Sequence, residues 1–489
     1  MGPEPSLTPA VVSSTTLGVL SADRRFALAC ACSLALLAAL AVWAESPLAW
    51  DGSHYLFRLI HDRSLYVPHH RYTAAVWQVP ALLTWSLTGS LALCRGVFCA
   101  TLAGIPLLAF AASWWLLRKQ GPDDSLLSWA TIGMTLSTLP AQIFFAAESV
   151  QALQLSWPLI LAVALKPTRA RIGFAGVWLV GLSCLHPIAA IGIGVAALVA
   201  LRNESATPRE RWIGAALLLA AAVTRAAFLD QAEAHRVPRT TQAMLAMFAT
   251  GAPLLPNVLV LLALSLLVSA AGARQRRLQR AAWAGAAAAA LAAALGFVWF
   301  YSVRDKWAAA HVARYALPLI AVPTFCVFLT SFWLRALQQT RSSVVPLRLA
   351  ALALCALFVS VVSFQSVTWS NTAQRVLAKF RPGCTDGKKA HQLPRSARLV
   401  AHWSLSPLSL VQGKNAPDEP LLLYKGTCAK VACSGRYWAA PRTSVTVQGT
   451  PFAALAAVAE DPKRKSSCAP GSTDPTPAAN AEDADEWQP

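Results

Sequence analysis

Charge is what this sequence lacks most. Only 13% of its 489 residues are charged, while 56% are hydrophobic; a soluble domain carries roughly 25% charged and about 45–50% apolar residues. So few ionised groups cannot cover a water-facing surface for a chain of this length, which excludes a string of soluble domains. Acid is scarcer than base, with 23 Asp and Glu against 42 Lys and Arg, a formal charge of +19. The basic excess forms no single stripe of the kind a nucleic-acid footprint requires, so nucleic acid is excluded as a partner. The N-terminus lacks the basic n-region of a secretory signal peptide. Internal repeats are absent, and so are the matched broken helices of inverted-repeat transporters.

Long apolar runs take the place of charge. Phe26–Trp43, Leu255–Ser269 and Leu347–Phe364 read as membrane spans, and the lipid bilayer is the first partner. Further runs near 100–117, 125–143, 150–165, 172–186, 187–201, 212–229, 282–301 and 316–334 raise the expectation to an all-α polytopic membrane protein with about 11 transmembrane helices. Residues 72–93 are apolar but interrupted by Gln78, Pro80 and Gly89. They read as an interfacial or re-entrant helix, since broken backbone at membrane depth must be buried by protein. Residues 172–201 read as two short spans hinged at His186-Pro187.

The basic clusters orient this bundle. Arg24-Arg25, Arg118-Lys119, Lys166 to Arg171 and Arg274 to Arg280 fall on the cytoplasmic side if the N-terminus is cytoplasmic, as the positive-inside rule prefers. The expected domains are a disordered cytoplasmic N-terminus (1–23), a transmembrane domain (24–367) with an outer loop at 45–71, a soluble extracytoplasmic tail (368–459) and a disordered C-terminus (460–489). The tail has strand-like runs at Leu421–Tyr424 and Ser444–Gln448 and reads as α/β or β-rich. Four of the 11 Cys (Cys384, Cys428, Cys433, Cys468) lie in it, an even number that permits disulfides in an oxidising compartment with connectivity open.

Chemistry is concentrated in the first outer loop. If Asp51–Asp62 is helical, Asp51, His54, Tyr55 and Arg58 share one face at i, i+3, i+4 and i+7, and Leu56, Leu59 and Ile60 form an apolar face that could lie on the membrane. A carboxylate at a lipid–water boundary can accept a proton or contact a polar substrate. The alternative is an amphipathic linker with solvated charges. His54, His61, His69 and His70 cluster here, but their spacing fits no closed zinc pattern; a divalent metal is possible but not favoured, and no cofactor is certain. Glu148 stands amid Phe144-Phe145-Ala146-Ala147, where an acid is expensive and often functional. His186 marks an outer hinge. Arg304, Lys306 and Arg314 could hold a lipid-linked phosphate by charge-assisted hydrogen bonds, or contact anionic headgroups.

The pattern resembles the polytopic glycosyltransferases of the GT-C fold, which use polyprenyl-phosphate-linked sugars. The resemblance rests on Trp50-Asp51-Gly52-Ser53-His54-Tyr55 after the first span, Ala147-Glu148-Ser149 between the third and fourth, His186-Pro187, Arg314-Tyr315, and a soluble tail after the last span. It implies inverting transfer to a glycan, lipid or protein acceptor. Asp51 and Glu148 would be the catalytic carboxylates, with Asp51 as general base or acceptor-orienting group. His54, Tyr55, Arg58, His186, Arg304, Lys306, Arg314 and Tyr315 would bind substrate, and the location would be a bacterial inner membrane. Gly52 departs from the commoner pattern, which has a second acid after the first, and this weighs against a metal-assisted version. The competing readings are a multi-pass transporter or flippase, which would place ionisable groups in mid-span, and a non-catalytic assembly subunit of an envelope glycan pathway.

Overall fold

The computed structural model describes residues 22–118, 125–139, 145–229, 255–272, 276–302, 317–338, 344–380, 383–386, 405–423, 428–440 and 443–462, with 234, 238, 241 and 242. The expected disordered termini lie largely outside these residues.

The fold is predominantly helical. Helix α1 (Ala22–Trp43) leads through a short 3-10 turn (Ser46–Leu48) into α2 (Asp51–Asp62). The segment expected to be one broken helix is α3 (Tyr72–Val76) and α4 (Val79–Thr88). Pro80 sits in the first turn of α4 and Gly89 ends it at φ 60°, the left-handed conformation that glycine adopts without penalty. There follow α5 (Leu91–Ala103), α6 (Ile105–Leu117), α7 (Leu126–Leu136), α8 (Glu148–Ala164), α9 (Arg169–Ser183), α10 (Ala189–Arg202), α11 (Pro208–Ala227), α12 (Leu255–Gly272), α13 (Arg276–Ser302), α14 (Leu317–Gln338) and α15 (Val344–Leu377).

Every apolar run thus carries a helix, but the count of about eleven spans does not hold. Among the described residues, two helices are long and apolar enough to cross a membrane, Arg24–Trp43 and Leu347–Leu377. The α5–α6 pair adds a third if its 45° bend is spanned as one unit. The reason is length: α7 stops after 11 residues, about 16 Å at helical rise, while a hydrocarbon core is about 30 Å thick. The sequence windows run across breaks that the backbone makes. Large apolar side chains nonetheless face outward along several helices, including Leu28, Leu36, Leu83, Leu87, Trp114, Trp115, Val177 and Leu217, as a lipid-facing surface requires.

The interior packs closely. Gly133 on α7 leaves room for the Trp157 indole of α8, which stacks on Phe325 and meets Phe328 edge-on. The buried thiols of Cys30 on α1 and Cys355 on α15 are hydrogen-bonded to each other, tying these two apolar helices together.

The last helix of the bundle runs to Leu377, with Trp369, Ala373 and Val376 buried, so the tail begins later than the expected residue 368. In the tail, β1 (Gly383–Thr385) pairs in parallel with β2 (Pro420–Leu422), and β3 (Arg436–Ala440) pairs antiparallel with β4 (Thr443–Thr446). Short helices α16 (Leu405–Val411), α17 (Cys428–Ser434) and α18 (Ala453–Glu460) complete it. Cys384 and Cys428 form a disulfide, closing a 44-residue separation and stabilising the segment by about 4 kcal/mol on a chain-entropy account. Cys433 is also disulfide-bonded.

Candidate functional site

The site begins with a strained turn. Glu45 and Trp50 both have positive φ (53° and 56°) on either side of the 3-10 turn, a conformation that costs bulky residues about 1–3 kcal/mol and persists only where packing enforces it. That turn delivers Asp51 to the first position of α2, where the positive end of the helix dipole favours a carboxylate. Gly52 has a steric reason to follow: a Cβ there would lie 1.8 Å from the Pro47 carbonyl oxygen and 3.5 Å from the Ala146 Cβ. Any side chain at this position would push α2 away from the turn. Gly52→Ala is expected to destabilise the protein by at least about 1–3 kcal/mol, read as a lowered unfolding temperature in detergent. An unchanged temperature would show that the close approach is not required.

Helix α2 presents its polar face as the spacing predicted, but that face is covered rather than solvated. His54 and Tyr55 are buried, and Asp51 is half-buried. Leu56, Leu59 and Ile60 do not lie on a membrane surface. They are fully buried in the protein core, because the tail folds back over α2.

Glu148, the first residue of α8, is 3% exposed. Its Oε1 accepts the Tyr55 hydroxyl proton at 2.5 Å and its Oε2 accepts from the Arg71 guanidinium at 2.9 Å. Arg71 is itself 6% exposed, so this is a buried ion pair with a third, hydroxyl partner. Burial foremost, then the negative charges of Glu148 and Asp51, holds the Tyr55 hydroxyl well above its ordinary range. Tyr55 is therefore a neutral donor.

The Tyr66 ring closes this cluster. It meets His54 edge-on and Tyr55 at a tilt, both with centroids 5.3 Å apart, and the Arg58 guanidinium lies 5.1 Å from its centroid. Gln78, fully buried, fixes Tyr66 by its backbone: its amide donates to the Tyr66 carbonyl at 2.8 Å and its oxygen accepts from the Tyr66 N–H at 3.0 Å. Burial, followed by the Arg58 charge, lowers the His54 pKa to about 4, against opposing pulls from Asp51 and Asp62. At neutral pH His54 is an uncharged hydrogen-bonding group.

Three carboxylates of this region are paired to cations. Glu45 bonds Arg95 at 2.6 Å, Asp62 bonds Arg58 at 2.7 Å, and Glu148 bonds Arg71. The charge of Asp51 acts on His54, Tyr55 and Tyr66, which sets it within the aromatic cluster. No known protein family, curated protein or solved structure matches this chain.

The structure brings Asp51, His54, Tyr55, Arg58 and Glu148 together. The His186 hinge lies close by in the chain path: Thr73 at the start of α3 bonds the Cys184 carbonyl through its N–H (3.2 Å) and the Gly181 carbonyl through its hydroxyl (2.7 Å). His186 Nδ1 accepts from the Ile188 N–H at 3.1 Å within that turn. Arg304, Lys306, Arg314 and Tyr315 lie outside the described residues. Among the described residues no group of three or more His, Cys, Asp or Glu is arranged to hold a metal ion. Sequence reasoning missed Arg71, Tyr66 and Gln78. A signal existed for Gln78, a lone amide in an apolar run that burial obliges to find two partners. For Arg71 the signal was indirect: a carboxylate as buried as Glu148 demands a cation, but spacing does not say which.

Proposed function

We propose that this protein is an integral-membrane glycosyltransferase of GT-C type, moving a sugar with inversion from a polyprenyl-phosphate donor to an acceptor on the extracytoplasmic face. The observation that carries the reading is the gathering of Asp51, His54, Tyr55, Arg58 and Glu148 in one cluster. Glu148 has both oxygens engaged by Tyr55 and Arg71, which suits a positioning residue. Asp51 is half-buried beside a neutral His54 and a neutral Tyr55, which suits a group that takes the acceptor proton or orients the acceptor hydroxyl. His54, Tyr55, Arg58 and the Tyr66 ring would contact sugar hydroxyls and its apolar face. By resemblance, Arg304, Lys306, Arg314 and Tyr315 would hold the donor phosphate, and His186 would contribute from the α9–α10 hinge.

The Cys384–Cys428 disulfide supports an oxidising environment for the tail. The tail packs on α2, so both would emerge on one face, with the N-terminus cytoplasmic, and the shorter apolar helices would complete the membrane domain in packed groups. The gathering of Asp51, His54, Arg58, Arg71 and Glu148 in one cluster favours surface chemistry over transport.

The topology is tested by single cysteines at exposed Arg63 and at Arg304, labelled with a membrane-impermeant maleimide in intact cells and in inverted vesicles. Both sites are expected to react from the outside. Labelling from opposite faces would separate the acid from its phosphate-binding partners and end the reading.

A further inference from the structure

We propose that the basic loops before α9 and α11, together with the exposed apolar faces of those two helices, form one docking surface for an anionic phospholipid.

A buried amide brings the two loops together. The Asn203 side chain, between α10 and α11, donates to the Val163 and Leu165 carbonyls at 2.8 and 2.9 Å, which fixes its loop against the one between α8 and α9. Helices α9 and α11 are themselves in contact. Residues 165–211 contain six basic side chains (Lys166, Arg169, Arg171, Arg202, Arg209 and Arg211) and two acidic ones, Glu204 and Glu210. Lys166, Arg169 and Arg209 are exposed, and Arg171 folds back to donate to the Lys166 carbonyl at 2.9 Å. Glu210 is engaged by the Thr207 N–H and hydroxyl, both at 2.8 Å, and Glu204 lies 3.9 Å from Arg202. The surface therefore keeps a net positive charge.

This charge adjoins an apolar surface. Ile172 and Val177 on α9, with Trp212, Ile213 and Leu217 on α11, are exposed and fall within the first ten residues of their helices. Cations followed by exposed hydrocarbon are the complement of a lipid that presents a phosphate and then acyl chains. An indole beside the charges is the side chain favoured at a membrane–water boundary. A free phosphate or a nucleotide would leave the apolar faces uncovered. The helix ends add a reason for an external anion. Arg169 and Arg171 stand in the first turn of α9, which holds no acid, although that end of a helix is positive and disfavours cations.

Helix α8 separates this surface from the Asp51 cluster. Its 17 residues from Glu148 span about 25 Å, and the basic loop follows its far end. The test therefore reads lipid binding and no activity. The full chain, delipidated in an uncharged detergent, is titrated with phosphatidylglycerol, with phosphatidylcholine of the same acyl chains and with inorganic phosphate, and its unfolding temperature is followed. Phosphatidylglycerol is expected to raise that temperature saturably, and the other two to leave it unchanged. Arg169→Gln with Arg209→Gln should raise the phosphatidylglycerol midpoint about tenfold or more, the scale of two basic residues at an anionic lipid surface. The lipid-free unfolding temperature should not fall, since both changes remove a cation from a positive helix end. Arg169→Lys with Arg209→Lys should keep the wild-type midpoint. Arg277→Gln with Arg280→Gln removes the same charge from exposed positions on α13 and should leave the midpoint unchanged. Equal responses to the two phospholipids, a rise with phosphate alone, or an equal loss in the α13 pair would overturn the proposal.

Discussion

Asp51→Asn is expected to lower sugar transfer by about 10²–10⁴-fold, the range over which a positioned general base acts, while expression and membrane insertion stay at wild-type levels. The substitution is nearly isosteric and keeps an oxygen at the first position of α2, so the strained turn at Trp50 and the close approach at Gly52 are undisturbed. What it removes is proton affinity. It also removes one negative charge from the surroundings of His54, Tyr55 and Tyr66. The charge of Asp51 opposes the effect of burial on His54, so the His54 pKa moves further down; His54 stays neutral and does not become a substitute cation. The assay is transfer of a radiolabelled sugar from a polyprenyl-phosphate donor in proteoliposomes. Undiminished transfer by the variant would remove Asp51 from the mechanism.

Breaking the buried pair should have the largest effect on stability. Arg71→Met leaves the Glu148 carboxylate at 3% exposure with the Tyr55 hydroxyl in place of a compensating cation. Removing one partner of a buried ion pair typically costs about 3–5 kcal/mol, because the remaining charge stays desolvated. Arg71→Met combined with Glu148→Leu replaces the pair by apolar groups of similar volume and should cost far less than either single change, since such replacements are often neutral. Chemical denaturation in detergent across the four proteins of this cycle measures the coupling. Additive losses would show that the two side chains do not depend on each other. Glu148→Gln isolates the charge: the amide can still accept from Tyr55, but loses the ion pair with Arg71 and leaves that guanidinium buried.

Much of the site was legible because local spacing carries it. The i, i+3, i+4, i+7 pattern from Asp51 to Arg58 specifies one face of any helix, and the structure has that helix. The breaks at Gln78, Gly89 and His186-Pro187 were likewise local events, governed by backbone chemistry within a few residues. Span counting failed where it assumed that apolar composition implies unbroken length. The run at 125–143 contains a helix of 11 residues, because apolar side chains specify burial and say little about where a helix stops.

The sequence alone determined that this chain is helical and apolar, with scarce acids gathered in a few places. It did not determine which cation meets which acid. Arg71 and Glu148 are 77 residues apart, and the tail reaches α2 through His61 and Thr446, 385 residues apart. Pairings at such separations are decided when the helices pack, because each buried charge or polar group must find a partner once water is gone. Sequence records that obligation at each residue; only the three-dimensional arrangement selects the partner that meets it.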